Sequence, residues 1–162
     1  VDQIQLADGS TPTASDLGLN TTGSVLQVVQ DRIVGNVSTT SSSLQDSGLV
    51  VSITPSSTSS KILVIAYSTN IVTQDGGQLT GEIQSQIGGG GYSTLQGFGG
   101  DAGAGATNNY IGSIYSSSLH SPNTTSQVDY KVKFRNSGGG GTVFLVGYTP
   151  QHHGITLMEI AG

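Results

Sequence analysis

Residues 128–135 read Val-Asp-Tyr-Lys-Val-Lys-Phe-Arg, with an apolar side chain at every even position and a charged one at every odd position. Successive side chains of a β-strand point to opposite faces, so this alternation predicts a strand with one buried face and one face in water. Strands buried on one face only are typical of antiparallel sheets. The stretch therefore predicts a half-buried antiparallel strand.

Other segments rich in β-branched and aromatic residues surround this strand, and turn residues separate them. The predicted strands lie at residues 25–34, 48–54, 61–72, 79–87, 92–98, 108–118, 127–135, 142–148 and 154–161. No segment has sustained helical periodicity. About eight or nine strands of this length in a chain of 162 residues predict one antiparallel β-sandwich, jelly-roll-like in topology.

Residues 61–67 and 154–162 differ from this pattern because they are apolar on both faces of the predicted strand. A strand with two apolar faces needs cover on both, and in a small all-β chain the commonest cover is a second copy of the chain. The pattern therefore predicts self-association. The side chains expected at the interface between subunits are Ile62, Val64, Tyr67, Leu157, Met158 and Ile160.

The composition excludes several classes of partner. Only 9% of residues are charged and the net charge is −5, which argues against nucleic acid and anionic membranes as partners. No apolar run reaches the length of a membrane span, so we expect no membrane insertion. The chain has no cysteine, which excludes disulfides and thiolate metal sites and suits folding in a reducing cytosol.

Residues 1–23 lack a strand pattern and form a predicted N-terminal arm, whereas residues 24–162 form the predicted sandwich. Ile4, Leu6, Leu17 and Leu19 are spaced along the arm without an obvious local partner. Spaced apolar side chains on a polar arm are typical of a peg that docks on another protein, or of an edge strand or frayed terminus. We expect these four side chains to anchor the chain to its partner.

The ionisable residues are dispersed and form no catalytic set, so we expect neither an enzyme nor a bound cofactor. Glu82 lies on the predicted polar side of its strand. Glu159 stands in an otherwise apolar strand, where it is expected to pair with Lys61 or Arg32 or to cap a subunit contact.

The pair His152–His153 is the one local cluster with ligand chemistry. Adjacent side chains of a strand point to opposite faces, so one chain offers one imidazole to a metal, and only three copies around an axis supply three. The alternative is a pair of histidines in a surface loop. We expect no metal site.

Glycine-rich segments at residues 88–91, 97–105 and 138–141 are either exposed turns or recognition loops. In the second case Tyr92, Phe98, Asp101 and Tyr110 are the candidate ligand-binding residues, and a host-surface glycan is the candidate ligand. The same aromatic rings are otherwise core residues. A hydrolase would need two paired carboxylates, for which Glu82 and Asp101 are the best candidates.

Four stretches in this order resemble a domain of virion proteins of marine tailed bacteriophages. They are residues 23–30 (GSVLQVVQ), 53–64 (ITPSSTSSKILV), 121–132 (SPNTTS leading into YKV) and 155–160 (ITLMEI). The stretch LADGS at residues 6–10 resembles the segment that precedes this domain in longer phage proteins. The resemblance covers about residues 23–162.

This resemblance implies a homotrimeric β-sandwich knob on the virion surface, in contact with capsid or tail proteins and made in the host cytoplasm. No shaft repeat precedes the predicted knob, which favours a compact decoration protein or short head fibre over a long tail fibre. A tail-fibre or tail-tip knob that binds a host receptor is the alternative. The family implies no catalytic residues.

Overall fold

The computed structural model describes residues 4–14, 16–19, 21–99, 110–147 and 152–162. Ten strands lie within these ranges: β1 (Val25–Ile33), β2 (Val37–Thr39), β3 (Gln45–Ile53), β4 (Lys61–Gln74), β5 (Leu79–Ile87), β6 (Ser93–Gly99), β7 (Tyr110–His120), β8 (Val128–Asn136), β9 (Thr142–Leu145) and β10 (His153–Ile160). The described residues contain no helix that is long and apolar enough to cross a membrane.

The strands form two antiparallel sheets that pack face to face. Sheet A runs β1-β10-β4-β7, and the short strands β9 and β2 extend it beside the second half of β4. Sheet B has the order β3-β8-β5-β6. When β2 and β9 are set aside and the other strands are numbered along the chain, the two orders become 1-8-3-6 and 2-7-4-5. This is the arrangement of a jelly roll, as the sequence predicts.

The core lies between the sheets, where the inward side chains of both alternate with outward polar ones. On β8 the even-numbered residues are the buried ones, and Tyr130 and Phe134 have no exposed surface. Tyr130 lies in a cluster with inward residues of β4 and β10, and Phe134 lies in a second cluster with residues of β4, β5 and β9. The buried residues of β8 are therefore those that the alternation in residues 128–135 predicts.

The predicted strand positions agree with the structure except at short or polar segments. β2 is not predicted, because three residues are too few to show a period. β3 begins at Gln45. The predicted strand begins only at residue 48, because the first residues of β3 are polar and have no apolar pattern. One of them, Ser47, is buried and donates a hydrogen bond to the carbonyl oxygen of Val132 at 2.8 Å.

The glycine run at 138–141 is a turn that a buried side chain holds in place. The amide nitrogen of Asn136 donates to the carbonyl oxygens of Gly140 and Gly141, at 2.7 and 3.1 Å, and its amide oxygen accepts from the backbone of Gly138 at 3.0 Å. Gly139 and Gly141 have φ values of +77° and +64°, a conformation that favours glycine. Turn geometry accounts for this run without a ligand.

Candidate functional site

The N-terminal arm leaves the body beside the end of β10 and presents its apolar side chains to solvent. Two backbone hydrogen bonds fix its base, one from Gly23 to Ala161 and one from Ala161 to Ser24. The exposed fractions of the four predicted anchoring side chains are 70% for Ile4, 36% for Leu6, 47% for Leu17 and 64% for Leu19. They therefore remain available to a partner.

The arm holds its shape through two small turns. The carboxylate of Asp8 accepts hydrogen bonds from the backbone and hydroxyl of Ser10, and that of Asp16 accepts the same pair from Thr13. These hydrogen bonds lower the pKa of both carboxyl groups. The arm is therefore anionic and locally ordered, which reduces the entropy lost when it docks.

The outward side chains of β1, β10, β4 and β7 form a second unpartnered surface, named here outer face A. The strand register aligns Val28 with Met158, Met158 with Leu63, and Leu63 with Leu119. The result is an apolar row across four strands. Val28 and Leu119, at its two ends, are 57% and 56% exposed.

A pair of aromatic rings lies further along the same face. Tyr67 of β4 stacks on Tyr115 of β7, with ring centroids 6.3 Å apart and planes at 19°. Tyr115 is 69% exposed and Ile111, on the same strand, is 68% exposed. Exposed apolar side chains thus continue from the row to the edge strand β7.

The prediction of the subunit interface needs a correction for half of its residues. Ile62, Val64 and Leu157 have no exposed surface, because they point inward and pack against sheet B of the same chain. They are core residues and cannot contact another subunit. The remaining three, Tyr67, Met158 and Ile160, lie partly exposed on outer face A.

The predicted ligand-binding residues do not form one site in the described structure. Phe98 is partly buried and packs against both core clusters, which agrees with the alternative that this ring belongs to the core. Tyr92 lies under the ammonium of Lys131, which is 4.0 Å from the ring centroid. Asp101 and the side chain of Tyr110 lie outside the described residues.

Glu159 has a structural role that the sequence did not indicate. It points inward, is fully buried and pairs with neither Lys61 nor Arg32. One carboxylate oxygen accepts from the backbone and hydroxyl of Ser56, both at 2.7 Å, and the other accepts from the amide of Gln27 at 2.6 Å. Burial acts to raise the pKa of Glu159, but these hydrogen bonds outweigh it and lower the pKa.

Replacing Glu159 with glutamine is expected to lower the free energy of unfolding by about 1–3 kcal/mol, because an amide turns a donor toward groups that need an acceptor. Chemical denaturation measures the change. The matched control is Glu82→Gln, since Glu82 lies on the outer side of sheet B and its carboxylate accepts a hydrogen bond from the side-chain amide of Gln84. Equal losses in the two variants would contradict the structural role of Glu159.

His153 is fully buried at the start of β10, and not in a surface loop with His152. Neither of its ring nitrogens has a hydrogen-bond partner among the described residues. It borders a small apolar cavity of about 20 Å³ between the sheets. Burial, with a smaller effect of His152, lowers its pKa.

The described residues include no group of three or more histidine, aspartate or glutamate side chains able to hold a metal ion.

On the outer side of sheet B, Lys131 and Lys133 lie 3.4 and 4.0 Å from the carboxylate of Asp46. Their charges are thus shared with a neighbouring acid on a polar face, as expected for a solvated strand face.

No protein-family model matches the chain, and no curated protein matches it either. Among solved structures, the VP2 subviral particle of infectious bursal disease virus is 14% identical with a TM-score of 0.40, covering 84% of this chain and 33% of that one. The Gx and Gt strains of the same virus are 15% and 13% identical, with TM-scores of 0.35 and 0.30. The chain spans about a third of the length of these proteins.

Proposed function

We propose that the chain is a non-enzymatic structural protein of a bacteriophage virion. In this proposal it is a homotrimeric decoration protein on the particle surface, held there by its N-terminal arm. The observation that carries the proposal is the arm itself, whose four apolar side chains are exposed on a locally ordered segment. The proposal that the particle is a bacteriophage virion rests on the resemblance of residues 23–162 to domains of phage virion proteins.

The arm has the physical properties of an anchor. Large apolar side chains exposed together on a short segment indicate a binding surface more than a solvated one. Each arm offers only a few such side chains, so a single arm gives modest affinity. Three arms on one trimer bind as a unit, and avidity then exceeds the affinity of any single arm.

Deleting residues 1–22 is expected to abolish binding to virus particles and to leave the sandwich folded, because β1 begins at Val25. Recombinant chain, with and without the arm, is mixed with particles stripped of it, and co-sedimentation measures the bound fraction. We expect at least a tenfold loss.

The matched control is a full-length chain with Val50→Ser, an exposed apolar side chain of the body at 50% exposure, which should bind like the wild type. Undiminished binding by the truncated chain would refute anchoring by the arm. Circular dichroism of the truncated chain confirms that the sandwich is intact.

A further inference from the structure

We infer that outer face A is the surface on which a second copy of this chain binds, and that the copies close into a ring. The inference rests on the proposed function, because it identifies the subunit interface of the proposed trimer. Its occupant is a neighbouring copy, and the arm remains free for the particle.

The two outer faces of the sandwich differ in chemistry. The outward residues of β8 in sheet B are Asp129, Lys131, Lys133 and Arg135, as expected for a face in water. The row that crosses outer face A is valine, methionine, leucine and leucine instead. An apolar row of this length across four adjacent strands indicates a face that another surface covers.

The edge of the same face is open to a partner. β7 pairs with β4, and no other described strand pairs with it. Its eleven residues include no Lys, Arg, Asp, Glu or Pro, the side chains that usually protect an edge strand from pairing. Its exposed side chains include Ile111, Tyr115 and Leu119. Outer face A and this edge form one continuous unprotected surface.

Charge favours a neighbouring copy in head-to-tail contact over two copies joined through the same face. The only charged side chains that the described strands present on outer face A are Arg32 and Lys61, both basic. On the rest of the sandwich, the described residues that carry charge at the surface are five acidic and three basic: Asp31, Asp46, Asp75, Glu82, Asp129, Lys131, Lys133 and Arg135. Two such faces in direct contact would oppose like charges, whereas outer face A against the acidic remainder of a neighbour is complementary. Contacts between unlike surfaces generate a closed ring where the rotation between neighbouring copies closes, and an open filament where it does not.

The size of the surface suits a small specific interface. Four strands spaced about 4.8 Å apart and eight residues long give a footprint of about 500 Å² per copy, or about 1,000 Å² for the two surfaces together. This area is near the lower limit for a stable interface. Association is therefore expected to depend on protein concentration in the micromolar range.

The test is the mass in solution of the full-length chain and three variants, by light scattering on a sizing column over a hundredfold range of concentration. The wild type is expected to reach the mass of three chains of 16.4 kDa. Val28→Glu and Leu119→Glu, at opposite ends of the apolar row, are expected to reduce this mass threefold. The matched control is Val28→Ile, which keeps an apolar side chain at the same position of outer face A and should keep the mass of three chains.

Two outcomes overturn the inference: a wild type that stays a single chain at every concentration, or three-chain masses for both Val28→Glu and Leu119→Glu. Because both sites are more than half exposed, these variants should fold, and thermal melting confirms it. The proposed function fails in a different way. A ring that does not bind particles refutes anchoring, whereas a single chain that binds particles refutes only the interface.

Discussion

Replacing Leu157 with alanine is expected to lower the free energy of unfolding by about 2–5 kcal/mol, the usual range for a buried leucine that leaves a cavity. Leu157 has no exposed surface and lies in the cluster that joins β10 and β4 to sheet B. Its neighbours belong to rigid strands on both sides, so collapse around the missing atoms is limited. Thermal and denaturant unfolding measure the loss.

Met158→Ala is the matched control, because Met158 is the next residue of the same strand and points to outer face A. We expect it to cost the isolated chain under about 1 kcal/mol, since the side chain is only partly buried. The pair thus separates the core role of Leu157 from an interface role. A larger loss for Met158→Ala than for Leu157→Ala, measured on single chains, would reverse the assigned faces.

Lowering the pH from 7 to 5 is expected to destabilise the protein through His153. Its pKa is lowered in the folded state by burial, so the unfolded chain binds a proton more readily than the folded one. Stability therefore rises with pH in this range and is lost as the pH falls below about 6.5, the usual histidine pKa. The slope is at most about 1.4 kcal/mol per pH unit for one proton, and it ends at the folded pKa.

Two variants isolate this effect. His153→Gln removes the titrating group, so its denaturation midpoint should depend less on pH than that of the wild type. His152→Gln leaves the buried imidazole in place and should retain most of the wild-type slope, because His152 makes only the smaller contribution to the lowered pKa of His153. Burial also lowers the pKa of His120, which adds a contribution of the same sign to all three proteins. Parallel pH profiles for His153→Gln and the wild type would contradict the role of His153.

The fold was largely predictable because side-chain period reports directly on burial. The alternation of residues 128–135 matches the buried and exposed positions of β8, and the double apolar pattern of β4 and β10 is also correct. The pattern does not indicate which of the two apolar faces of a strand packs against the other sheet of the same chain. Leu157 and Met158 are equally apolar, and only the packing of sheet B distinguishes them.

The polar residues of the core were less predictable. Glu159 was expected to pair with a base, but its partners come from Gln27 and a turn at Ser56, more than 100 residues away along the chain. His153 follows a histidine with the same local signal, yet it is buried while His152 is not. Such contacts depend on tertiary position, and no local period encodes them.

Antibody labelling of intact particles establishes whether the chain is part of a virion, as we propose. Antibody raised against the sandwich, residues 24–162, is applied to purified virions and detected with gold by electron microscopy. We expect regularly spaced label on the surface of intact particles. Particles without label, with the chain present only as free protein in the lysate, would contradict it.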